Sequence, residues 1–512
     1  MRKPFNALFK KYYQFRYRRL ERMLEEPLEA QQAWWKYLLR SAQATEWGKT
    51  YGFADLANWS AYSQRLPIQN YDDLKPYIQR MMAGENDILW PGAVTRYSKS
   101  SGTTNDKSKF IPVSDENFKH CHIKGTWDTM TAYYAQYPDS LIFAGKNFLM
   151  GGSYQPYRED LPTIFGDVSA LMIKDMPRVA RPFFEPDLET SLMAEWEEKI
   201  QRMVEVATDP RIAEEVTMIG GVPTWVIVLF RQIIERTGGQ NMLEVWPNFE
   251  AFIHGGVGLH PYREQLQHFL PSERVNYQEV YNASEGYFAT QLDKDDDDML
   301  LLVDNGVFYE FLPMEEWGKE RPATVPLEGV QVGKIYAMII TTNAGLWRYN
   351  IGDTVRFTSV HPYKIQITGR TQQFINAFGE EVMVDNTDKA LAQTCRQYDA
   401  IVGEYTVAPI YFQAGAKGGH EWLVEFERAP ADLSAFTHQL DRNLQRLNSD
   451  YEAKRYKDLA LTQLRLHPIP TGTFLGWLRA RGKYGNQHKV PRLANDRKYV
   501  EDILRFKATQ TP

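Results

Sequence analysis

Three polar clusters, far apart in the chain, contain residue types that could do chemistry. The first runs from Ser100 to Lys109 and combines hydroxyl side chains, one glycine and two lysines. Backbone N–H groups of a glycine-containing loop can approach phosphate oxygens closely, hydroxyls add donors, and a lysine adds positive charge. The segment does not match the G-x-x-x-x-G-K-S/T loop, so taken alone it is more typical of a surface turn.

The second cluster contains one carboxylate, that of Glu285, between a serine and a glycine. It follows the apolar pair Val280 and Tyr281. A divalent cation such as Mg²⁺ needs only one or two protein carboxylates when phosphates and waters complete its shell. A strand that ends in a capped turn explains the same residues equally well.

The third cluster runs from Thr341 to Asp353 and ends in a glycine followed by a carboxylate. Gly352 permits a sharp turn, and an exposed Asp353 carboxylate could accept hydrogen bonds from both hydroxyls of a ribose. An Asx-type turn between strands is the alternative. Near the end of the chain, Lys489 stands in a glycine- and proline-bounded loop, where it could meet a phosphate as a point charge or remain a solvated lysine.

The spacing of apolar residues indicates the elements that hold the first cluster. A β-favouring run over 94–98 leads into it. Ser114 and the acids after it predict an N-cap and the first turn of a helix that continues to about Tyr137. The cluster is therefore expected between a strand and a helix, a combination that phosphate sites use.

The chain as a whole predicts an α/β fold with two domains. Short apolar runs at 170–173 and 217–222 alternate with helices at 192–206 and 223–236. Closely spaced strand candidates then predict a sheet-rich or β-barrel-like subdomain; they are 307–311, 334–342, 355–358 and 364–367. The last part predicts a small α+β domain, with helices at 388–397 and 431–447 and strands at 405–412 and 422–426. We expect a large N-terminal domain over 1–383 and a small mobile C-terminal domain over 384–512.

Composition excludes several classes of protein. With a formal net charge of -6, the chain gives no reason to expect nucleic acid as a partner. Only Cys121 and Cys395 are present, so a disulfide framework is not expected and a reducing cytoplasm fits best. No apolar run is long enough for an integral membrane segment. The basic start, Met1 to Leu20, favours a solvated first helix and leaves open a transit peptide or a helix on a lipid surface.

The order of the clusters resembles that of the adenylate-forming superfamily and, more narrowly, that of the auxin-responsive acyl acid amido synthetases. In that family a Ser-Ser-Gly-Thr loop, a Ser-Glu-Gly motif and an Arg-Tyr-x-x-Gly-Asp motif form the nucleotide site. These motifs resemble Ser100 to Thr103, Ser284 to Gly286 and Arg348 to Asp353 of this chain. The resemblance extends from about Leu66 to Arg492, and we expect a bacterial-type member.

The resemblance implies ATP and Mg²⁺ as cofactors, and a small carboxylic acid and an amine or amino acid as partners. The residues that it places at the nucleotide are Ser100, Ser101, Gly102, Thr103, Thr104, Asn282, Ser284, Glu285, Gly286, Asp353 and Arg370. Lys489 and Glu285 are the implied catalytic residues: Lys489 would neutralise charge on the α-phosphate, and Glu285 would hold Mg²⁺. Asp353 would bind the ribose. A lysine that plant members carry shortly after the hinge between the two domains is replaced around Asn386, which removes the contacts expected there.

The acid substrate is expected next to the first cluster. Candidates for the acyl pocket on the following helix are Phe118, His122, Trp127 and Met130, with Phe308 from a later strand, and all of them would also fit a core. The implied activity is amide formation through an acyl-adenylate, with the three clusters around one nucleotide. A ligase that passes the same adenylate to coenzyme A, and a binding protein that kept the fold without turnover, are the alternatives.

Overall fold

The chain forms two compact units in a computed structural model. Unit 1 comprises Met1–Gly256, Phe269–Ile351 and Val355–Gln366, and unit 2 comprises Val257–His268, Gly352–Thr354 and Ile367–Pro512. The structure describes residues 3–100, 109–256, 259, 262–371, 374–375, 380, 382–411, 418–455, 461–483, 489–494 and 496–510. Ser101 to Thr104 of the first polar cluster therefore lie outside the described residues. Among the residues described, no helix combines the length and the apolar character that crossing a bilayer requires.

Unit 1 is built on two sheets. Its strands, of which the last two also carry residues of unit 2, are β1 (Arg96–Ser100), β2 (Lys109–Val113), β3 (Lys146–Leu149), β4 (Tyr154–Pro156), β5 (Ile164–Gly166), β6 (Phe184–Glu185), β7 (Val216–Gly221), β8 (Ala251–Gly255), β9 (Asn276–Ala283), β10 (Gly286–Gln291), β11 (Met299–Leu301), β12 (Val307–Pro313), β13 (Val325–Pro326), β14 (Ile335–Thr342), β15 (Tyr349–Val360) and β16 (Tyr363–Arg370). The small sheet has the order β2-β1-β5-β4, and the twelve-stranded sheet has the order β13-β12-β14-β15-β16-β11-β10-β9-β8-β7-β3-β6.

The large sheet has a parallel part and an antiparallel part. Strands β6, β3, β7, β8 and β9 pair in parallel, whereas β9 with β10, β10 with β11, and β12 with β14 pair antiparallel. Parallel strands need crossover helices, and antiparallel strands can follow one another through short turns. The closely spaced strands predicted after residue 300 therefore form the antiparallel part of the same sheet that holds the parallel strands.

The helices of unit 1 precede these strands in the chain or connect them. They are α1 (Lys3–Glu25), α2 (Pro27–Ala42), α3 (Glu46–Thr50), α4 (Trp59–Arg65), α5 (Tyr71–Met82), α6 (Asp115–Asn117), α7 (Lys124–Gln136), α8 (Val168–Lys174), α9 (Leu188–Ser191), α10 (Trp196–Thr208), α11 (Pro210–Ala213), α12 (Pro223–Thr237) and α13 (Met242–Val245). A π-helical turn, Phe118–Ile123, joins α6 to α7. The Ser114 hydroxyl accepts a hydrogen bond from the Asn117 N–H and so caps α6, which confirms the predicted start of this helical segment.

Unit 2 packs helices on a small sheet. Its elements are α14 (Arg263–Phe269, whose last residue belongs to unit 1), β17 (Phe374–Ile375), β18 (Val382–Met383), α15 (Val384–Tyr398), β19 (Ile401–Ile410), β20 (Gly419–Arg428), α16 (Leu433–Leu447), α17 (Ser449–Arg455), β21 (Arg465–Ile469), α18 (Thr473–Ala480) and α19 (Lys498–Gln510). Strands β19 and β20 are antiparallel, and β21 joins β20 in parallel. The predicted α+β character of this region is confirmed.

One predicted element has the wrong type. The apolar run 170–173 is not strand-like, because it belongs to helix α8. Val168, Leu171 and Ile173 are buried in this helix, and a run of four apolar residues cannot distinguish a buried strand from a buried helix. The other predicted strands and helices named above coincide with observed elements, with ends that shift by a few residues.

Candidate functional site

The parallel part of the large sheet ends in glycine pairs along one edge. Gly220 and Gly221 end β7, Gly255 ends β8 and is followed by Gly256, and a third pair, at 151–152, follows β3. A Cβ on Gly255 would lie 2.5 Å from the carbonyl oxygen of Val280, so backbones approach closely here. In open α/β sheets, ligands bind at the carboxyl ends of such strands. This edge was not identified from the sequence, because it forms only when strands that are distant in the chain become parallel neighbours.

A buried lysine holds the first of these glycine pairs. The Lys199 ammonium on α10 donates hydrogen bonds to the carbonyl oxygens of Gly151 and Gly152, at 2.5 and 2.9 Å. Burial lowers the pKa of Lys199 to about 8, although Asp167 partly opposes the shift. Asp167 in turn accepts a hydrogen bond from the Ser153 N–H at 2.9 Å. The Lys199 ammonium, about fifty residues later in the chain, therefore holds the conformation of the loop after β3.

Lys199→Met is expected to lower the free energy of unfolding by ~1–3 kcal/mol, because it leaves buried carbonyl oxygens without their donor. Urea unfolding of the full chain measures the change. Lys294→Met is the matched control, because Lys294 is exposed and shows no such contact in the described part of unit 1. An equal, small effect of both substitutions would show that the ammonium does not hold the loop.

The Ser-Glu-Gly motif forms the turn between β9 and β10. Ser284 and Glu285 are buried to 6% and 8% exposure, and Asn282 is exposed on β9. A Cβ on Gly286 would lie 2.8 Å from the ring of Phe288 and 3.1 Å from the sulfur of Cys121. The turn is thus packed against the π-helical turn after the first cluster, which fixes the backbone that carries Glu285.

The described part of the first cluster is short. Ser100 is the last residue of β1, where its backbone is in register with Lys109 of β2. Its side chain, and residues 101–104, lie outside what the structure describes. The strand predicted before the cluster and the helix predicted after it are both present. The phosphate-binding role of this loop stays a prediction.

The acyl-pocket candidates fall into separate surroundings. Phe118 packs with Val113 and Leu171, and Met130 packs in a different apolar cluster with Tyr13. Both residues are buried, as are Phe308 and His122. The structure thus places Phe118 and Met130 in different parts of the core.

Two of these candidates have features that the others lack. His122 is 1% exposed, burial lowers its pKa to about 4, and its Nε2 has no hydrogen-bond partner among the described residues. Trp127 is instead 43% exposed and lies under the Arg16 guanidinium and beside Tyr12 of α1. The structure therefore does not bring Trp127 to the buried candidates.

The Arg-Tyr-x-x-Gly-Asp motif begins with a structural arginine. Arg348 of unit 1 is 3% exposed and pairs with Glu310, whose two carboxylate oxygens lie 3.0 and 3.2 Å from the Arg348 Nε that donates to them. It also donates to the carbonyl oxygen of Ser63, at 2.6 Å, and to that of Leu66. Its φ of 44° is in the left-handed region, a strained conformation that these contacts hold in place. The arginine of the motif therefore fixes the chain that leads to Asp353.

Unit 2 brings together three of the predicted residues. The Arg370 Nε lies 2.8 Å from the Asp353 carboxylate. Lys489 is close enough to both for each to affect its protonation: burial lowers the pKa of Lys489 to about 8, the Arg370 charge lowers it further, and the Asp353 carboxylate opposes them. Gly352 has a φ of 88°, as expected for the sharp turn before Asp353.

A buried arginine, Arg492, anchors the segment that carries Lys489. Its guanidinium carbon lies 4.4 Å from the centroid of the Tyr405 ring, and its Nη1 pairs with Glu404. The Arg492 carbonyl oxygen accepts a hydrogen bond from the Val407 N–H at 2.8 Å, and the Pro491 carbonyl oxygen accepts one from the Thr406 hydroxyl at 2.6 Å. Lys489 thus stands next to a rigid attachment to β19.

The position of Asn386 is structural. Its side-chain oxygen accepts a hydrogen bond from the Met383 N–H at 2.9 Å, and its amide nitrogen donates to the carbonyl oxygen of Leu447 at 3.2 Å. The residue is 7% exposed. The Asn386 side chain therefore caps α15.

Comparison with solved structures defines the class of fold. The chain superposes on an acyl acid amido synthetase, GH3.15, with a TM-score of 0.75, at 15% identity and with 95% of each chain covered. A 2-hydroxyisobutyryl-CoA ligase in its postadenylation state gives a TM-score of 0.56, at 12% identity, with 94% of this chain and 91% of that one covered. The fold is that of the adenylate-forming ligases.

Family comparison is more specific. The chain matches the GH3 family N-terminal domain over residues 16–150 and 163–275, the central domain over 300–370 and the C-terminal domain over 385–498. The chain belongs to the GH3 family.

Two similar proteins of known name are plant enzymes. An indole-3-acetic acid-amido synthetase of Arabidopsis thaliana is 25% identical, with 88% of this chain and 86% of the relative covered. A jasmonoyl-L-amino acid synthetase of Oryza sativa subsp. japonica is 23% identical, with 93% of this chain and 94% of the relative covered. The expected family is thus confirmed, whereas the relatives do not show a bacterial type.

Proposed function

We propose that this chain is an acyl acid amido synthetase that uses ATP to activate a carboxylic acid and then joins the acyl group to the amine of an amino acid. The observation that carries the proposal is the match to all three GH3 domains in chain order. The names of the relatives support amide formation and an amino acid as the class of acceptor, because one is an amido synthetase and the other a jasmonoyl-L-amino acid synthetase. The ligase and the adenylate step follow from this family.

The reaction needs no nucleophile from the protein. The substrate carboxylate attacks the α-phosphorus of ATP and pyrophosphate leaves; the amine then attacks the acyl carbon, loses a proton and releases AMP. Burial raises the pKa of both cysteine thiols, Cys121 and Cys395, to about 12, so neither is a thiolate at neutral pH. Catalysis therefore depends on positioning and on charge stabilisation at phosphorus.

Residues of unit 2 are proposed to stabilise that charge. Lys489, next to the ion pair of Asp353 and Arg370, would neutralise the α-phosphate, and Asp353 would accept hydrogen bonds from the ribose. In unit 1, the loop from Ser100 to Thr104 would donate hydrogen bonds to the phosphates. These roles come from the family resemblance and remain predictions.

Glu285 is the residue proposed to hold Mg²⁺, together with phosphates of the nucleotide. Among the described residues, no group of three or more His, Cys, Asp and Glu side chains could form a cage for a metal. A single carboxylate at a rigid turn suits Mg²⁺, which keeps several waters and takes few protein ligands. When bound, the ion would neutralise charge that develops on the phosphates.

The alternative acceptor is coenzyme A. The likeness to the 2-hydroxyisobutyryl-CoA ligase favours this candidate, because the first half-reaction is shared. Supplying the purified chain with ATP, a carboxylic acid and either an amino acid or coenzyme A, and identifying the product by mass spectrometry, separates the two. A thioester as the only product would overturn the amide assignment.

Acid-dependent exchange of pyrophosphate into ATP tests the first half-reaction directly. A panel of aryl, indolyl and aliphatic acids is expected to contain at least one that supports exchange. Exchange excludes a binding protein without turnover. Its absence with every acid would contradict an adenylating enzyme.

Asp353→Ala is expected to weaken ATP binding roughly 10- to 100-fold, because two hydrogen bonds from the ribose to a charged acceptor are lost. Titration with ATP measures the change. Asp295→Ala is the control, since Asp295 is an exposed carboxylate in the acidic turn before β11. Unchanged ATP binding in Asp353→Ala would show that Asp353 does not bind the ribose.

A further inference from the structure

One side of helix α1 carries a stripe of exposed apolar side chains. Phe5, Leu8, Tyr12 and Phe15 are 52%, 65%, 40% and 63% exposed. Their spacing of three or four residues puts them on one face of the helix. Trp127 of α7 extends the stripe, because its exposed ring lies edge-on to Tyr12 with 6.0 Å between the centroids. A contiguous patch of large apolar side chains on a folded surface usually marks a binding surface.

The stripe is separate from the face by which α1 packs on unit 1. Tyr13 and Leu20 are buried on that inner face. The Asn6 amide donates to the carbonyl oxygen of Ser140 at 2.9 Å, and Arg16 forms a buried ion pair with Asp128 at 2.7 Å. The helix is thus anchored along its inner face, and the stripe stays exposed in the folded unit.

Positive charge borders the stripe. Lys11, Arg18 and Arg19 are exposed, and each is three or four residues from Leu8 or Phe15, so each is a neighbour of the stripe on the helix surface. The helix contains seven lysines and arginines and only two acids, both near its end. The chain as a whole is acidic, with a formal net charge of -6. Positive charge is therefore concentrated at this patch.

We propose that α1 binds the surface of a membrane that contains anionic lipids. Aromatic and aliphatic side chains bordered by lysine and arginine are typical of helices that lie in the interface of a bilayer, where the apolar face enters the headgroup region and the cations attract anionic lipids. Tyrosine and tryptophan, such as Tyr12 and Trp127, favour that region. A second copy of the chain would set one basic helix against another, which electrostatic repulsion disfavours.

The four α1 residues of the stripe lie outside the residues that match the family domain. The match to the GH3 family N-terminal domain begins at residue 16, and Phe5 to Phe15 precede it. The proposed lipid binding does not depend on the proposed reaction, and it would place the enzyme where amphipathic acids partition.

Flotation of the full chain with vesicles tests the proposal. Vesicles of phosphatidylcholine and phosphatidylglycerol in equimolar mixture are expected to bind the chain, and vesicles of phosphatidylcholine alone are not. Leu8→Ser with Phe15→Ser is expected to lower the partition coefficient at least roughly tenfold, since two apolar side chains no longer enter the bilayer. Replacing Lys11, Arg18 and Arg19 with glutamine is expected to cause a similar loss.

Matched controls keep the result specific. Val179 and Val332 are 81% and 58% exposed elsewhere in unit 1, and Val179→Ser with Val332→Ser is expected to leave flotation unchanged. Melting temperatures of all variants show whether they fold. The proposal is overturned if the folded wild type does not float with anionic vesicles, as a protein partner for the stripe would predict. It is also overturned if Val179→Ser with Val332→Ser lowers flotation as much as Leu8→Ser with Phe15→Ser does. A dimer detected by light scattering that Leu8→Ser with Phe15→Ser dissociates would overturn it as well.

Discussion

Glu310→Leu is expected to lower the free energy of unfolding by ~3–5 kcal/mol, because it leaves the charge of Arg348 buried without its partner. The two side chains are 1% and 4% exposed, so water cannot replace the carboxylate. Glu310 also accepts hydrogen bonds from Thr324, at 2.8 Å, and from the Trp59 indole, at 3.1 Å. The substitution thus removes the acceptor of three donors at once. Urea unfolding followed by tryptophan fluorescence measures the loss.

A double-mutant cycle separates this ion pair from general damage to the core. Arg348→Met with Glu310→Leu removes both charges and is expected to cost less than the sum of the two single substitutions, because neither charge is left alone. Glu316→Leu is the surface control: Glu316 pairs with Lys319 in a solvated setting, where an ion pair contributes little. Additive effects in the cycle, within about 0.5 kcal/mol, would show that the pair does not act as a unit.

The sequence predicted the elements around the site where a local signal marks them. Ser114 predicted the start of the helical segment after the first cluster. This signal is local, because the capping hydroxyl accepts a hydrogen bond from an N–H only three residues later. Gly352 predicted the turn before Asp353, because glycine readily adopts the left-handed backbone conformation found there. The run 170–173 gave no such signal, since helix and strand both accept four buried apolar residues.

Long-range partners explain what the sequence could not show. Arg348 resembled one part of a nucleotide motif, yet its contacts include Glu310 and two carbonyl groups about 285 residues earlier. Lys199 carried no motif at all, and its role depends on carbonyl groups of a distant loop. The carboxyl ends of β7 and β8 meet only because the strands are parallel neighbours. Such roles follow from topology, which pairs distant segments.

The structure brings together three residues that the motifs singled out. Asp353 and Arg370 form the ion pair of unit 2, and Lys489 is coupled electrostatically to both. The acyl pocket was inferred from adjacency alone, and adjacency along a helix does not separate a pocket wall from core or surface. Trp127 illustrates this, because α1 comes from the start of the chain to border its exposed ring.

Lys489→Ala is expected to slow adenylation roughly 10²- to 10³-fold while ATP affinity changes little, because the ammonium acts on charge that develops as pyrophosphate leaves. Lys498→Ala is the control, since Lys498 is an exposed lysine of unit 2 on α19. Single-turnover formation of the acyl-adenylate and ATP titration measure the two quantities. A loss of ATP affinity with an unchanged rate of adenylation would assign Lys489 to binding alone.

The same lysine predicts the pH dependence of the reaction. Burial lowers the pKa of Lys489 to about 8, well below the ordinary value for lysine. The side chain is therefore mostly protonated at pH 7, and its positive charge is lost as the pH rises past 8. The charge is needed in the transition state, so kcat/KM for ATP is expected to fall above pH 8. Because the ammonium acts on charge that develops only as pyrophosphate leaves, ATP binding should leave the pKa of Lys489 near 8, and kcat should fall over the same pH range. Lys489→Arg keeps the positive charge at all these pH values, so it should retain part of the activity and lose the fall near pH 8. If the fall persists in Lys489→Arg, another group causes it.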